Sequence, residues 1–159
     1  MRIVFKKQDV ENHEVRIIRP DGTEESRLCA TRSFLIHDLT HLAFELEAKT
    51  SQGFWGSVAS GSSLLQLSDP DYISGLDDAS ETMKIEKAVA IFQGLAKEKT
   101  KASLVEAYRS QQQNFAWADP KWFELEFISR VEGRLRDFLG RWKSTEYGSS
   151  MDLDWHVQI

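Results

Sequence analysis

Two histidines four positions apart, His37 and His41, are the residues of this sequence best suited to chemistry. On a helix, residues at i and i+4 lie on the same side, with their Cβ atoms about 5–6 Å apart. Two imidazole nitrogens at that spacing suit a single metal ion, with zinc or another divalent transition metal as the cofactor. The spacing therefore predicts a metal site with His37 and His41 as ligands.

Two carboxylates share the side of the helix that carries the histidines. When the first histidine is placed at 0°, the second lies at about 40°, Glu45 at about 80° and Asp38 at about 100°. The leucines of the same segment centre at about 170°, so these polar residues lie off the apolar stripe. Asp38 and Glu45 could each act as a general base, a third ligand or a partner for an imidazole N–H, and we expect them to be catalytic.

Aromatic residues accompany this face. Phe44 falls on the same side of the helix, and Phe54 and Trp55 follow within a Gly-Phe-Trp-Gly run. The functional interpretation is a substrate pocket lined by these three aromatic residues beside the histidines. The alternative is structural: the face is solvated, or a histidine braces the glycine-rich segment 53–61 through a hydrogen bond. Acid–base chemistry without a metal is a third interpretation.

Hydrophobic periodicity places the histidines on a helix over 33–48, with Ser33 as its N-cap. Residues 1–30 are β-rich and contain an Arg-Pro-Asp-Gly turn, which predicts a meander of strands. Residues 49–79 are rich in Gly, Ser and Asp, and they predict a loop region with one short helical piece near 54–60.

The second half of the chain has helical periodicity and ends in an alternating segment. Residues 80–143 predict helices, with a capping-box pattern at 78–81 and an Asp-Pro start signal at 119–120. Residues 151–159 alternate between apolar and polar types, which predicts a strand that pairs with the N-terminal meander. Together these elements predict one α+β domain over 1–159, with a small antiparallel sheet formed by both chain ends and covered by three or four helices.

Composition excludes several classes of protein. The 159 residues carry 20 Lys and Arg against 25 Asp and Glu, a net charge of −5 that does not fit a nucleic-acid partner. The sequence has no long apolar run and no secretion signal, so we expect no membrane contact and a cytoplasmic location. The single cysteine, Cys29, excludes an internal disulfide and predicts a small core residue in a strand. Other partners and the oligomeric state are left undetermined.

The histidine helix resembles two families of hydrolases. His37-Asp38-x-x-His41 is similar to the His-Glu-x-x-His helix of zinc metalloproteases, with Asp in place of Glu. That resemblance implies that Asp38 activates a water and that a downstream carboxylate or His156 completes the metal site. The His-Asp pair also resembles that of HD-domain phosphohydrolases, whose all-helical fold and further upstream helical histidine do not match a β-rich start that contains only His13.

A third resemblance covers more of the chain, residues 14–61. The run Ile-His-Asp-Leu-Thr-His at 36–41, then Glu45, then Gly-Phe-Trp-Gly at 53–56 looks like an uncharacterised bacterial family. That family has a strand-rich start, a Pro-His-Asp-Leu-x-His helix and a helical second half, and this chain has Ile36 where the family usually has Pro. The resemblance implies an organisation and carries no established activity.

Two functions remain open from the sequence. The first is a small soluble metal-binding protein, with a metal-dependent hydrolase as the activity that such a site would support. The second is a non-enzymatic structural or protein-interaction module, in which the histidine helix braces the Gly-Phe-Trp-Gly segment. Whether the chain is an enzyme is undecided at this point.

Overall fold

A computed structural model describes residues 1–77, 80–111 and 119–157. Four strands are present in these residues: β1 Arg2–Lys7, β2 Asn12–Ile18, β3 Glu24–Ala30 and β4 Ser150–Asp154. They form one antiparallel sheet in the order β3-β2-β1-β4. The fold is α+β with a sheet made by both chain ends, which confirms the predicted class.

One face of the sheet is buried because side chains alternate between the two faces of each strand. Apolar side chains supply most of this face in β1 and β2, and they are fully buried: Ile3, Phe5, Val15 and Ile17. The inward row of β3 is different, since it consists of Glu25, Arg27 and Cys29. Charged groups therefore enter the interior at the edge of the sheet where β3 meets the first helix.

Six α-helices lie in the described residues: α1 Thr31–Ala48, α2 Phe54–Ala59, α3 Pro70–Ser74, α4 Glu81–Phe92, α5 Lys101–Ser110 and α6 Leu125–Ser144. The four longer ones match the three or four helices that the sequence predicts. The two short ones, α2 and α3, lie in the region 49–79, which was expected to contain one helical piece.

α1 is the central helix of the fold. It contacts α6, α4, α2 and β3, and its residues 38–46 are all buried. The apolar core joins the inner face of the sheet to α1, α4 and α6. The polar face of α1 is therefore enclosed by other elements, and the interpretation of that face as simply solvated is wrong.

The start of α1 differs from the prediction. The helix begins at Thr31, immediately after β3, and its N-cap Ala30 makes no side-chain capping bond. The prediction of Ser33 as the N-cap is therefore wrong. The junction is held instead by a backbone bond, in which Thr31 N–H donates to the Glu11 carbonyl at 2.7 Å. A long-range bond of this kind leaves no local sequence signal.

The later helix starts are partly as predicted. Asp78, the first residue of the expected capping box, lies outside the described residues, and α4 is capped by Ser80, whose hydroxyl accepts from Met83 N–H at 3.3 Å. Asp119 does cap a helical turn, but that turn is the 3-10 helix Pro120–Phe123. α6 begins after it.

The C-terminal strand pairs with β1, as predicted, with Met151 opposite Phe5 and Leu153 opposite Ile3. It is shorter than the expected 151–159, since β4 ends at Asp154 and residues 158–159 lie outside the described part of the chain. Among the described residues, no helix combines the length and apolar character needed to cross a membrane.

Candidate metal centre

Three side chains from two helices converge at one point. His37 and His41 project from the same side of α1, and their ring centroids are 4.6 Å apart. Glu86 comes from α4, which packs against α1. Its Oε2 lies 3.2 Å from Nε2 of His41 and 3.7 Å from Nε2 of His37. The i,i+4 pair thus meets a carboxylate from a distant part of the chain.

The separations suit a metal ion. Zinc binds imidazole nitrogen and carboxylate oxygen at about 2.0–2.2 Å, and a tetrahedral arrangement places neighbouring ligand atoms about 3.3–3.5 Å apart. The two nitrogen–oxygen distances, 3.2 and 3.7 Å, lie on either side of that value. One ligand atom from each of the three residues lies within 4.8 Å of the others. The carboxylate oxygen therefore lies at ligand spacing from both imidazole nitrogens.

Two further carboxylates, Asp38 and Glu45, each hold the Nδ1 atom of one histidine ring. His37 Nδ1 donates to Asp38 Oδ1 at 3.1 Å, and His41 Nδ1 donates to Glu45 Oε1 at 3.0 Å. A carboxylate on one ring nitrogen fixes the tautomer and leaves the other nitrogen available to a metal. Of the three roles expected for Asp38 and Glu45 (general base, third ligand or partner for an imidazole N–H), the structure places both as partners behind the imidazoles. Glu86 lies where a third ligand to a metal ion would lie.

Asp38 is itself fixed from the sheet. Arg27 of β3 donates from Nη2 to Asp38 Oδ2 at 2.5 Å, and both side chains are buried. The guanidinium lies 5.3 Å from the ring centroid of Phe34 and 5.8 Å from that of Phe54. Aromatic rings at these distances stabilise a cation that has left water. The charge of the Asp38 carboxylate is thereby balanced within the protein.

Glu45 links the histidine helix to the Gly-Phe-Trp-Gly segment. Its carboxylate is fully buried and accepts the backbone N–H groups of Gly56 at 3.1 Å and Trp55 at 3.4 Å. A Cβ placed on Gly53 would lie 2.2 Å from Glu45 Cδ, and one on Gly56 would lie 2.4 Å from the backbone of Ser51. Gly53 therefore leaves the space that the Glu45 carboxylate occupies, and Gly56 lets its own backbone pack against that of Ser51.

The indole of Trp55 makes a further tie to α1. Its Nε1 donates to the Asp38 carbonyl at 2.9 Å. The histidine helix does hold the Gly-Phe-Trp-Gly segment, but the hydrogen bonds come from Glu45 and from the Asp38 backbone, while His41 contributes a ring contact to Phe54 at 5.9 Å.

The carboxylates shift the acidity of the histidines. Burial alone would lower the pKa of His41, but the neighbouring Glu86 and Glu45 outweigh it and raise that pKa to about 10. Burial also opposes protonation of His37, yet hydrogen bonds to Asp38 and Glu86 raise its pKa. Burial opposes ionisation of Glu86, and the two histidines still hold the pKa of Glu86 far below its usual range. The cluster attracts cations strongly, and a metal ion would replace the protons on Nε2.

A cavity of about 290 Å³ opens beside the cluster. His37, Glu86 and Asp38 line it together with Arg27, Phe34 and Phe54. The His37 side chain is 33% exposed and that of Glu86 is 18% exposed. A metal ion bound there could therefore be reached by a small molecule.

Only one of the three predicted pocket aromatics lines this cavity. Phe54 does, whereas Trp55 is completely buried beneath it. Phe44 packs edge-on against other aromatic rings at 5.1–5.5 Å: Phe92, Trp122 and Phe127. Phe44 does not line this cavity, because it lies seven residues, or about 10 Å, further along the helix axis than His37.

Two residues of the site were missed from the sequence. Glu86 lies in the region 80–143, which the sequence predicts only as helical, and it belongs to no motif. Arg27 had a usable signal, since it occupies an inward position of a predicted strand, where a charge requires a partner. His156, considered as a further ligand, is exposed and belongs to neither of the candidate metal clusters found in the described residues.

Comparison with protein-family models, curated proteins and solved structures found no match. The resemblances noted in the sequence therefore stay predictions. The geometry and chemistry of the site are the grounds for assigning a function.

Proposed function

We propose that this protein binds a divalent transition metal ion, with zinc as the first candidate, through His37, His41 and Glu86. The observation that carries the proposal is the convergence of both Nε2 atoms on Glu86 Oε2, while both Nδ1 atoms are held by other carboxylates. Imidazoles that ligate metals in proteins are oriented in this way.

Charge balance supports the same conclusion. Arg27 neutralises Asp38, which leaves the carboxylates of Glu45 and Glu86 within a largely buried cluster. Two negative charges in such a place require two positive ones. Either both histidines carry a proton, or one divalent ion takes the place of those protons. A single divalent ion bound by all three ligands would supply the same two positive charges as the two protons.

The chemistry that fits this site is metal-assisted hydrolysis. Three protein ligands leave a zinc position for water, and zinc lowers the pKa of that water enough to form hydroxide near neutral pH. The position would face the cavity, because His37 and Glu86 line it. Asp38 and Glu45 then act as positioning residues that hold the imidazoles. Asp38 could serve as a general base only after releasing His37.

The structural module remains a second candidate. The bonds from Trp55 and Gly56 to Glu45 favour it, since they show that the carboxylate behind His41 fixes a neighbouring helix. In that case His41 serves as a buried cation between two carboxylates. Its replacement would cost roughly 1–3 kcal/mol of stability, and no ion would be bound.

Metal content separates the two candidates. Protein produced with zinc and dialysed without chelator should hold one more ion per chain than Glu86→Gln or the His37→Ala/His41→Ala variant. Glu81→Gln, on the same helix as Glu86, and His156→Ala, an exposed histidine, should match the parent. Equal metal content in the parent and the site variants, with all of them folded by circular dichroism, would contradict the proposal.

The hydrolytic part of the proposal needs its own assay. Zinc-loaded protein is screened against small carboxylic and phosphoric esters, which fit a cavity of about 290 Å³. We expect turnover that disappears in Glu86→Gln and persists in Glu81→Gln. Stoichiometric zinc without turnover by any of these esters would restrict the function to metal binding.

A further inference from the structure

A second group of ligand-type side chains lies on the inner face of the sheet. His13 of β2 and Cys29 of β3 are directly opposite each other in the strand register. Asp38 reaches the same place from α1. A ring nitrogen of His13, Cys29 Sγ and a carboxylate oxygen of Asp38 lie within 4.8 Å of one another, and all three residues are buried.

One atom of this group has its hydrogen-bonding capacity unused. His13 Nδ1 lies 3.1 Å from Thr31 Oγ1, with which it shares a hydrogen bond. The other ring nitrogen, Nε2, is buried and has no partner among the described residues. His13 is completely inaccessible to solvent. Leaving a buried polar nitrogen without a hydrogen bond or a ligand costs free energy, so Nε2 of His13 is an atom that would gain from binding a metal ion.

We infer that His13, Cys29 and Asp38 form a second metal site, selective for a thiophilic divalent ion such as zinc. One imidazole, one thiolate and one carboxylate are all zinc ligands. The thiol of Cys29 loses its proton to solvent on binding, and the thiolate supplies the new negative charge for the ion, because the charge of Asp38 is already balanced by Arg27. Ligation through Nε2, the ring nitrogen that Thr31 leaves free, would give that buried atom a partner.

This second site is closed, unlike the first. The ring of His13 stacks on Phe5, at a centroid distance of 6.1 Å, and meets the edge of Trp142 at 5.6 Å. No substrate can reach an ion so enclosed, and the ion would enter as the sheet and α1 come together during folding. The role is structural: it joins β2, β3 and α1 at the point where Asp38 also holds His37. It stands whether or not the first site binds metal.

The single cysteine makes the test specific. Cys29 is the only cysteine in the chain, so any metal–sulfur signal reports this site alone. Zinc X-ray absorption of protein refolded with excess zinc should show a sulfur scatterer at about 2.3 Å. The same scatterer should remain in His37→Ala/His41→Ala, where it accounts for a larger share of the bound zinc. Cobalt-loaded protein should show a thiolate-to-cobalt charge-transfer band.

Each outcome separates this inference from the proposed function. Loss of the sulfur signal in Cys29→Ser, with zinc still bound by His37 and His41, supports two independent sites. If Cys29→Ser does not fold, the spectrum of the parent protein decides alone. Zinc coordinated only by nitrogen and oxygen in the parent, or no retained zinc, overturns the second site. A sulfur signal with the same metal content in parent and His37→Ala/His41→Ala overturns the first site only.

Discussion

Glu86 Oε2 lies 3.2 Å from His41 Nε2, across the contact between α1 and α4. The same oxygen is 3.7 Å from His37 Nε2. A histidine pair set by helical spacing is thereby completed by a residue 45 positions later in the chain. The proposed metal site depends on this meeting of three side chains and on the residues that hold them in place.

Asp38→Asn should weaken both the metal site and the fold. An amide cannot accept from His37 and Arg27 with both of its atoms, so one donor would face an NH₂ group. We expect metal affinity to fall about 10–100-fold and the metal-free protein to lose about 3–5 kcal/mol of stability. Competition with a zinc chelator and urea unfolding measure the two effects.

Asp152→Asn provides the matched control for that substitution. Asp152 pairs with Arg2 on the surface, where both side chains are 51% exposed. We expect a change in stability within about 0.5 kcal/mol and unchanged zinc affinity. If Asp38→Asn behaved like this control, the role of Asp38 behind His37 would be refuted.

Gly53→Ala should destabilise the protein although its backbone angles suit alanine. The added methyl would lie 2.2 Å from Glu45 Cδ and would displace the carboxylate that holds His41 and α2. We expect a loss of about 1–3 kcal/mol in urea unfolding, together with weaker zinc binding. The effect comes from lost space rather than from backbone strain.

Gly133→Ala is the control for Gly53→Ala, because it adds the same methyl group where there is open space. Gly133 lies within α6, and a Cβ there meets nothing within 4 Å. The same substitution should therefore stabilise the protein by about 0.5–1 kcal/mol, because alanine favours the helix. Equal effects at the two glycines would argue against a packed Glu45 carboxylate.

The stability of metal-free protein should depend on pH through His41. Its folded pKa is raised from 6.5 to about 10, so its contribution is complete below pH 6.5 and is lost as the pH rises toward 10. The pKa of Glu86 is lowered in the folded protein, so Glu86 stabilises the fold above pH 4.5. That stabilisation is lost as the pH falls below 4.5. Urea midpoints in the presence of chelator should decline between about pH 6.5 and 10.

Glu86→Gln should flatten that decline in stability, since it removes the negative charge that contributes most to the raised pKa of His41. Glu81→Gln should keep the decline of the parent. An identical slope in the parent and Glu86→Gln would mean that the cluster does not hold the histidine proton.

The sequence predicts the scaffold well and the site in part. Strand alternation and helical periodicity are local, so the sheet, α1 and the pair of His37 and His41 could be identified. A helical wheel gives the face of a residue but not the element packed over it. For that reason the sequence puts Phe44 on the histidine face although it packs in the core, and only the packing of α4 on α1 reveals Glu86. Arg27 is partly predictable, since a charged side chain on the inner face of a strand requires a partner of opposite charge. The sequence does not show that this partner is Asp38.

Nitrogen NMR of the histidine rings during zinc titration distinguishes a metal centre from a purely structural pair of histidines. We expect the Nε2 signals of His37 and His41 to shift to metal-bound positions while both Nδ1 atoms keep their protons, and the signals of the exposed His156 to stay unchanged. Rings of His37 and His41 that remain unchanged in excess zinc would contradict the metal centre.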